Sequence, residues 1–407
     1  MALALSRRRA AARSLRALGP RLNWAQIGLI VLILALGFYV MYPLLLILVN
    51  SFNTAALGQA PAYGLQNWTD AWTASGIAQA LVNTLALAAC YQAISFALAT
   101  GLAWVLARTD VPAARQLEFM FWLSMFVPVL STTLGWMLLL DPHAGLVNQL
   151  AARFTGSPPG LFNVYSFWGI VWVQLMTHAI SFKVMLLTPA FRNMDSALEE
   201  AGRASGASQW TTVIRVTLPV MTPMLAVVFL LGLVRLFESF EIEQLLGVPF
   251  GFYVYSTKIV QLVRGDPPRL GQAAALGSIT LLLLVAAAPL QRWLTTRRSF
   301  ATVGGRMRPA LIQLGLWRWP VFAVTALLTL LLVFVPVASV ITASFMTRFG
   351  FFNLPWTGAH WRQAFTDSVF LLSLKNTLIV SLSTAVGGVL IFSLVAYVIV
   401  RARALWG

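Results

Sequence analysis

Acidic side chains in an otherwise apolar run are the residues of this chain whose type and spacing could do chemistry. The run Arg235–Gly247 reads RLFESFEIEQLLG. A helix puts Glu238 and Glu241 on one face, with Arg235 three residues before Glu238. Charges inside a membrane are costly unless they face water or a cavity. We interpret these residues either as a polar wall of a translocation path that attracts cations or as an interfacial ion pair. Glu243 is expected just outside the membrane.

Three further polar side chains lie in apolar runs. Asn83 and Asn376 occupy equivalent places in two similar segments. Such amides either hydrogen-bond across a helix interface or line the path. Lys183 lies near the end of its run, so we expect its side chain to snorkel to the membrane surface.

The chain has no sequence pattern typical of a catalytic or metal site. His143, His178 and His360 lack metal-ligand spacing, and there is no G-x-x-x-x-G-K-[ST] run for binding ATP. No carboxylate pair or nucleophile constellation supports a membrane-integral enzyme. The single cysteine, Cys90, cannot form an internal disulfide. We therefore expect no catalytic residue, no metal and no cofactor, and ATP hydrolysis, if used, on another subunit.

The composition indicates a membrane protein. The chain is 59% hydrophobic and 10% charged, with a mean hydropathy of +0.80. A soluble domain has about 25% charged residues, so most of this surface must face lipid. The net charge of +16 comes from arginines between apolar runs. That placement is typical of the positive-inside rule and argues against nucleic-acid binding.

Eight segments have the length and apolar character of a membrane helix, which predicts an all-α polytopic fold. They are 26–50, 77–107, 117–140, 164–190, 219–245, 273–292, 319–343 and 371–400. Arginines cluster in residues 1–25 and in alternate loops, so the positive-inside rule places the N-terminus in the cytoplasm. Only the loop 246–272, with three basic residues, counts against this orientation.

Two segments of the chain match each other at an offset of 293 residues. Ser51-Phe52 matches Ser344-Phe345, and Asn83-Thr84-Leu85 matches Asn376-Thr377-Leu378. Apolar composition alone does not align polar residues in one register, so we infer an internal repeat, which is common among transporters.

The repeat predicts a division into halves. Residues 1–25 form a basic tail and 26–292 a first six-helix half with a polar loop at 191–218. A basic linker follows at 293–318, and 319–407 form the first two helices of a second half. The counterpart of the polar loop in the second half would fall near position 493, which is beyond residue 407. We therefore expect the second half to be incomplete within the 407 residues.

The polar loop reads as two short helices joined at a glycine. Its sequence from Glu200 to Pro223 is EAGRASGASQWTTVIRVTLPVMTP. Gly206 suits a turn with positive φ, and Ser208 can cap the second helix. Pro219 suits the first turn of the next membrane helix.

The loop resembles the signature E-A-A-x3-G-x9-I-x-L-P of permease subunits of binding-protein-dependent ABC importers, in particular the two-half iron(III)-uptake type. The matching residues are Glu200, Ala201, Gly206, Leu218 and Pro219; Gly202 replaces the second alanine and Val216 the isoleucine. The resemblance implies the type I importer fold in a bacterial plasma membrane. It also implies an extracytoplasmic binding protein and cytoplasmic ATPase subunits.

The resemblance implies that the loop helix docks on an ATPase, with Glu200 making polar contacts and Ala201 and Gly202 allowing close approach. The other interpretation is an interfacial helix that rests on lipid. The implied solute is iron(III) or another small solute, including a cation. An ion-coupled secondary transporter or channel without an ATPase is the alternative function.

Overall fold

The computed structural model describes residues 24–55, 58–156, 160–194, 197–235, 239–296, 311–350 and 354–405. In these ranges the backbone forms helices and loops, and three residue pairs form isolated β-bridges. The helices, numbered in chain order, are α1 Trp24–Ser51, α2 Gln66–Thr73, α3 Ile77–Arg108, α4 Ala114–Ser124, α5 Val129–Leu140, α6 Leu146–Thr155, α7 Phe167–Arg192, α8 Ala197–Ala204, α9 Gln209–Val234, α10 Tyr255–Arg264, α11 Leu270–Thr296, α12 Gly315–Ser344, α13 Ala359–Thr366 and α14 Ser368–Leu405.

Six helices of the described chain are long and apolar enough to cross a membrane: α1, α3, α7, α9, α12 and α14. Helices α4 and α5, bent by 100° at the break between them, form a seventh crossing if counted as one span. They correspond to the predicted segment 117–140. The predicted segment 273–292 falls on α11, whose apolar part, Leu270–Ala286, is shorter than a full span. The all-α, multi-pass fold is confirmed.

The prediction for the span 219–245 was wrong at both ends. Helix α9 begins at Gln209, inside the polar loop, and ends at Val234. The π-helical turn Val213–Thr217 carries the loop into the membrane helix without a break. The apolar pattern begins only after the polar residues of the loop, so hydropathy placed the start too late.

Helices α3, α7 and α9 pack closely because α3 presents small side chains. Ala99, Ala103 and Ala107 recur every four residues and are all buried. Ala103 and Ala107 pack with Leu187 of α7 and Val228 of α9. In lipid, helices have no hydrophobic drive to associate, and small residues let backbones approach closely enough for dispersion contacts. This three-helix contact positions both the polar loop and the cavity described below.

The chain divides into two compact units, residues 47–362 and residues 1–46 with 363–407. In the first, α7 is the most buried span; two thirds of its most apolar window, 67%, is covered. In the second, the most apolar windows of α1 and α14 contain no buried residue, and this apolar surface must be covered by lipid or by other helices. The predicted division at 293 and 319 stays a prediction.

The contacts around α2 recur 293 residues later. In each copy a tryptophan indole N–H donates to the hydroxyl of a serine 17 residues earlier. These bonds join Trp68 to Ser51 at 3.2 Å and Trp361 to Ser344 at 2.9 Å. Each copy also has one antiparallel bridge, Asn53–Tyr63 and Met346–Trp356. Helices α2 and α13 keep the same offset at both ends. The two segments therefore share one local fold.

Helices α5 and α12 approach backbone to backbone at Gly135. A Cβ atom added there would lie inside contact distance of the Pro336 backbone. The hydroxyl of Ser339 donates to the Gly135 carbonyl at 3.0 Å. The first span of the second similar segment is thus packed directly on the first half.

The substitution Gly135→Ala should lower the free energy of unfolding by about 1–3 kcal/mol, because it overpacks this crossing. Gly101→Ala is the matched control: a Cβ atom at Gly101 of α3 meets nothing within 4 Å. It should raise helix stability by up to about 1 kcal/mol. Thermal unfolding of both purified variants in detergent measures the difference. Equal melting temperatures would contradict the close crossing.

Candidate functional site

The polar loop consists of one short helix, a glycine turn and the start of a span. Helix α8 ends at Ala204, and Gly206 follows with φ of 85°, in the left-handed region. The Ser208 hydroxyl accepts a hydrogen bond from the Thr211 amide at 3.2 Å and caps α9. The predicted glycine joint and serine cap are therefore confirmed.

The signature residues differ in exposure. Glu200, Ala201, Gly206 and Pro219 are exposed, whereas Gly202 and Leu218 are partly buried. The neighbouring Trp210 and Ile214 are exposed as well, at 71% and 60%. Large apolar side chains beside an exposed acidic residue form a surface suited to a partner or to the lipid interface.

The acidic residue that holds the loop is Glu199, next to the signature. Its side chain is only 3% exposed and forms an ion pair with Arg108, the last residue of α3. Its other carboxylate oxygen accepts the hydroxyl of Thr217 at 2.6 Å. Arg108 also donates from Nη1 to the Met194 carbonyl at 3.3 Å. Helix α8 is therefore tied to α3 and α9 by a buried charge.

The same end of α3 is also hydrogen-bonded to the segment that precedes α12. The Ile312 amide donates to the Arg108 carbonyl at 2.8 Å, and the Asp110 amide donates to the Ile312 carbonyl at 3.1 Å. The Asp110 carboxylate accepts the Leu314 amide at 2.8 Å. Residues 108–110 thus contact the polar loop through a side chain and the segment before α12 through the backbone.

A cavity of about 350 Å³ lies between α3, α7 and α9. Its walls include Tyr91 near the middle of α3, Lys183 on α7, and Arg235 and Glu241 after α9. Helix α7 changes to a π-helical turn over Leu175–Ala179, which borders the cavity. Such π-turns are frequent at functional sites.

One expectation about a charged residue near this cavity was wrong. Lys183 does not snorkel: it is 2% exposed, and its Nζ donates to Ser95 Oγ at 2.9 Å and to the Ala179 carbonyl at 3.0 Å. Glu243 is buried within the protein, at 1% exposed, and its position relative to the membrane stays a prediction. Hydropathy cannot tell a side chain that points to the membrane surface from one that points inward.

The Glu243 carboxylate is held by two neutral donors. Gln174 Nε2 donates to its Oε1 at 2.7 Å, and the Ser239 hydroxyl donates to the same atom at 2.6 Å. Gln174 and Ser239 line the cavity, and Glu243 lies behind them. The sequence pattern grouped Glu243 with the other acidic residues and gave no sign of these partners.

The predicted path residues that the structure describes have different surroundings. Glu241 is exposed and lines the cavity. Glu238 lies outside the described residues. Asn83 Nδ2 donates to the Tyr253 carbonyl at 2.8 Å, in the loop before α10 rather than on a facing helix. Asn376 is exposed on α14, in the other unit.

The histidines form no metal centre in the part of the chain that the structure describes, where no three His, Cys, Asp or Glu side chains cluster. His178 contacts the Val127 carbonyl at 3.1 Å, and His360 contacts the Met346 carbonyl at 3.2 Å.

Comparison with known proteins identifies the family of about half of the chain. Residues 99–300, which include the loop and most of the cavity, match the family described as binding-protein-dependent transport system inner membrane component. This stretch belongs to that permease family. The permease is accordingly a multi-pass protein of the bacterial inner membrane.

One curated relative is a ferric transport system permease protein of Actinobacillus pleuropneumoniae, 26% identical over 287 residues. The match covers 69% of this chain and 39% of that protein, so the chain spans well under half the relative's length.

Two solved structures share the permease fold. A bacterial ABC transporter involved in the import of the acidic polysaccharide alginate has a TM-score of 0.54 and 18% identity, over 68% of this chain and 96% of its own. The alginate transporter in complex with an alginate pentasaccharide-bound periplasmic protein has a TM-score of 0.52 and 17% identity, over 67% and 92%.

Neighbouring glutamates of the permease provide a matched pair of substitutions. Glu199→Gln removes one charge of a buried ion pair and should lower the free energy of unfolding by about 3 kcal/mol or more. Glu200→Gln makes the same chemical change at an exposed position and should cost less than about 0.5 kcal/mol. Chemical or thermal unfolding in detergent measures both. Equal losses would show that Glu199 does not hold the loop.

Proposed function

We propose that the chain is the membrane-spanning permease part of an ATP-driven importer. It takes a small solute from an extracytoplasmic binding protein and passes it to the cytoplasm, and a separate cytoplasmic ATPase hydrolyses the ATP. The observation that carries this proposal is the difference in burial between two neighbouring glutamates of the loop. Glu199 is buried against Arg108 and Thr217, whereas Glu200 beside it is exposed.

This contrast suits a helix that transmits force. In the proposed mechanism, ATPase subunits dock on α8 through Glu200 and Ala201 and close when they bind ATP. Ala201 and Gly202 allow the ATPase to approach α8 closely, and Gly206, Leu218 and Pro219 fix the joint. Because α8 is tied to α3 and α9, its displacement biases the membrane helices between two states.

The orientation follows from the same proposal. The loop and the N-terminus lie on the cytoplasmic side, which the arginine distribution supports. The binding protein acts on the opposite side, as a partner of the kind seen with the alginate transporter.

The ferric relative and the exposed Glu241 support iron(III) or another small cation as the solute. The described cavity lining, with Lys183 and Arg235 against Glu241, argues instead for a solute that carries negative charge. The alginate transporter shows that proteins of this fold import acidic solutes as well.

Reconstitution distinguishes the proposed importer from an ion-coupled transporter or channel. The permease is isolated from its native membrane without cross-linking, and the co-purifying subunits are identified and reconstituted in liposomes. We expect an ATPase to co-purify and uptake to require ATP. Uptake driven by an ion gradient in liposomes that contain no ATPase would overturn the proposal.

Gly206 should be required for coupling. Gly206→Val puts a β-branched residue at a positive φ and costs about 1–2 kcal/mol in that conformation, so the joint between α8 and α9 should change shape. We expect ATP-dependent uptake to fall about tenfold, as a difference of 1.4 kcal/mol would produce, while ATP hydrolysis continues.

Gly156→Val is the control for this experiment. Gly156, which follows α6 outside the polar loop, also has a positive φ, of 68°, and a Cβ atom there meets nothing within 4 Å, so uptake should be unchanged. Normal uptake by the Gly206→Val variant, at equal protein levels, would count against a coupling role for the joint.

A further inference from the structure

Arg235, an exposed arginine, lines the cavity between α3, α7 and α9. The Arg235 guanidinium lies 4.3 Å from the centre of the Phe182 ring, stacked as a cation–π pair. Among the described residues it makes no hydrogen bond and no ion pair. A guanidinium that stacks on an aromatic face keeps its N–H groups free at its edge. These donors are therefore available to a ligand in the cavity.

A second cation faces the same space. Lys183 lines the cavity and is nearly fully buried, yet its ammonium contacts only the neutral oxygens of Ser95 and Ala179. A buried charge without an opposite charge is costly, and charged residues kept inside membrane segments generally serve a substrate or ion pathway. No carboxylate in the described structure forms an ion pair with Lys183 or Arg235.

The acidic groups nearby do not neutralise these cations. Glu243 lies behind the cavity wall and accepts hydrogen bonds from Gln174 and Ser239. Glu241 is the one carboxylate among the described lining residues. The remaining titratable lining residues are Tyr91 and His178, whose ring nitrogen contacts the Val127 carbonyl. The described lining therefore has two cations and one anion.

Size and apolar surface restrict the ligand further. A volume of about 350 Å³ lies at the lower end of the range of small-molecule sites. Tyr91, Phe182 and Phe240 provide aromatic surface beside the two cations. This combination suits a compact organic anion better than a bare metal ion, which prefers carboxylate, imidazole or thiolate ligands.

We propose that this cavity binds the carboxylate or phosphate group of a small organic solute through Arg235 and Lys183. That the bound anion is the imported solute rests on the proposed function, whereas the anion site itself does not. The proposal revises the sequence-based preference for a cation, because Lys183 points inward and Arg235 has no ion pair among the described residues.

Charged thiol reagents test the site without an ATPase or a binding protein. Ala179 lines the cavity, so Ala179→Cys in a Cys90→Ala background provides one reporter thiol. Its reaction rates in detergent are measured with anionic sulfonatoethyl and cationic trimethylammonioethyl methanethiosulfonate. The ratio of the anionic to the cationic reaction rate is divided by the same ratio measured for a small thiol in solution. We expect the anionic reagent to be favoured about tenfold, the low end of electrostatic effects on association rates.

Three variants at the cavity decide the source of this preference. Arg235→Gln should remove most of it, Arg235→Lys should keep it, and Glu241→Gln should leave or increase it. Faster reaction with the cationic reagent, an unchanged ratio in the Arg235→Gln variant, or no reaction with either reagent would each overturn the anion site. If the anion preference is present but uptake does not depend on ATP, the result would instead count against the proposed function.

Discussion

The buried contact of Glu199 with Arg108 and Thr217 is the interaction on which the loop and its helices depend. The guanidinium and carboxylate are out of water, so any movement that separates them leaves a charge without a partner. A buried ion pair adds little net stability compared with apolar packing, but breaking one costs several kcal/mol. Helix α8 is therefore constrained to move with the end of α3 and the start of α9, while its neighbouring surface stays free.

Several polar groups of the described interior have close neutral partners. Asn83 donates to a carbonyl after α9, and Gln174 donates to the carboxylate of Glu243. Lipid offers no hydrogen bonds, so polar groups in a membrane protein are stabilised by partners within the protein. Arg235, by contrast, is exposed at the cavity, where it stacks on Phe182 and makes no hydrogen bond or ion pair with the described residues.

Local features of the loop could be predicted from the sequence. The positive φ of Gly206 and the cap by Ser208 depend on residues within a few positions of each other. The burial of Glu199 could not be predicted in this way, because its partner Arg108 lies 91 residues earlier. The available signal was an arginine at the end of α3 that recurs at Arg401, but nothing in the sequence assigned its partner.

The positions of the membrane spans and the directions of their side chains show the same limit of prediction from sequence. Hydropathy located all eight helical segments, because lipid exposure requires long apolar runs. It misplaced the start of α9, where a π-turn joins the polar loop to the apolar helix. It also placed the side chain of Lys183 at the membrane surface, whereas that side chain is buried. A cavity inside a helix bundle is a tertiary feature, and apolar periodicity does not reveal which face of a helix borders it.

The most direct test of the account is photo-cross-linking from the exposed position beside the buried pair. A photoreactive amino acid replaces Glu200 in the intact chain, cells of the native host are irradiated, and the adducts are identified by mass spectrometry. The account predicts a covalent adduct with an ATPase subunit. Adducts with lipid alone, at an incorporation level that labels other surface positions, would contradict it and favour a helix that only rests on the membrane.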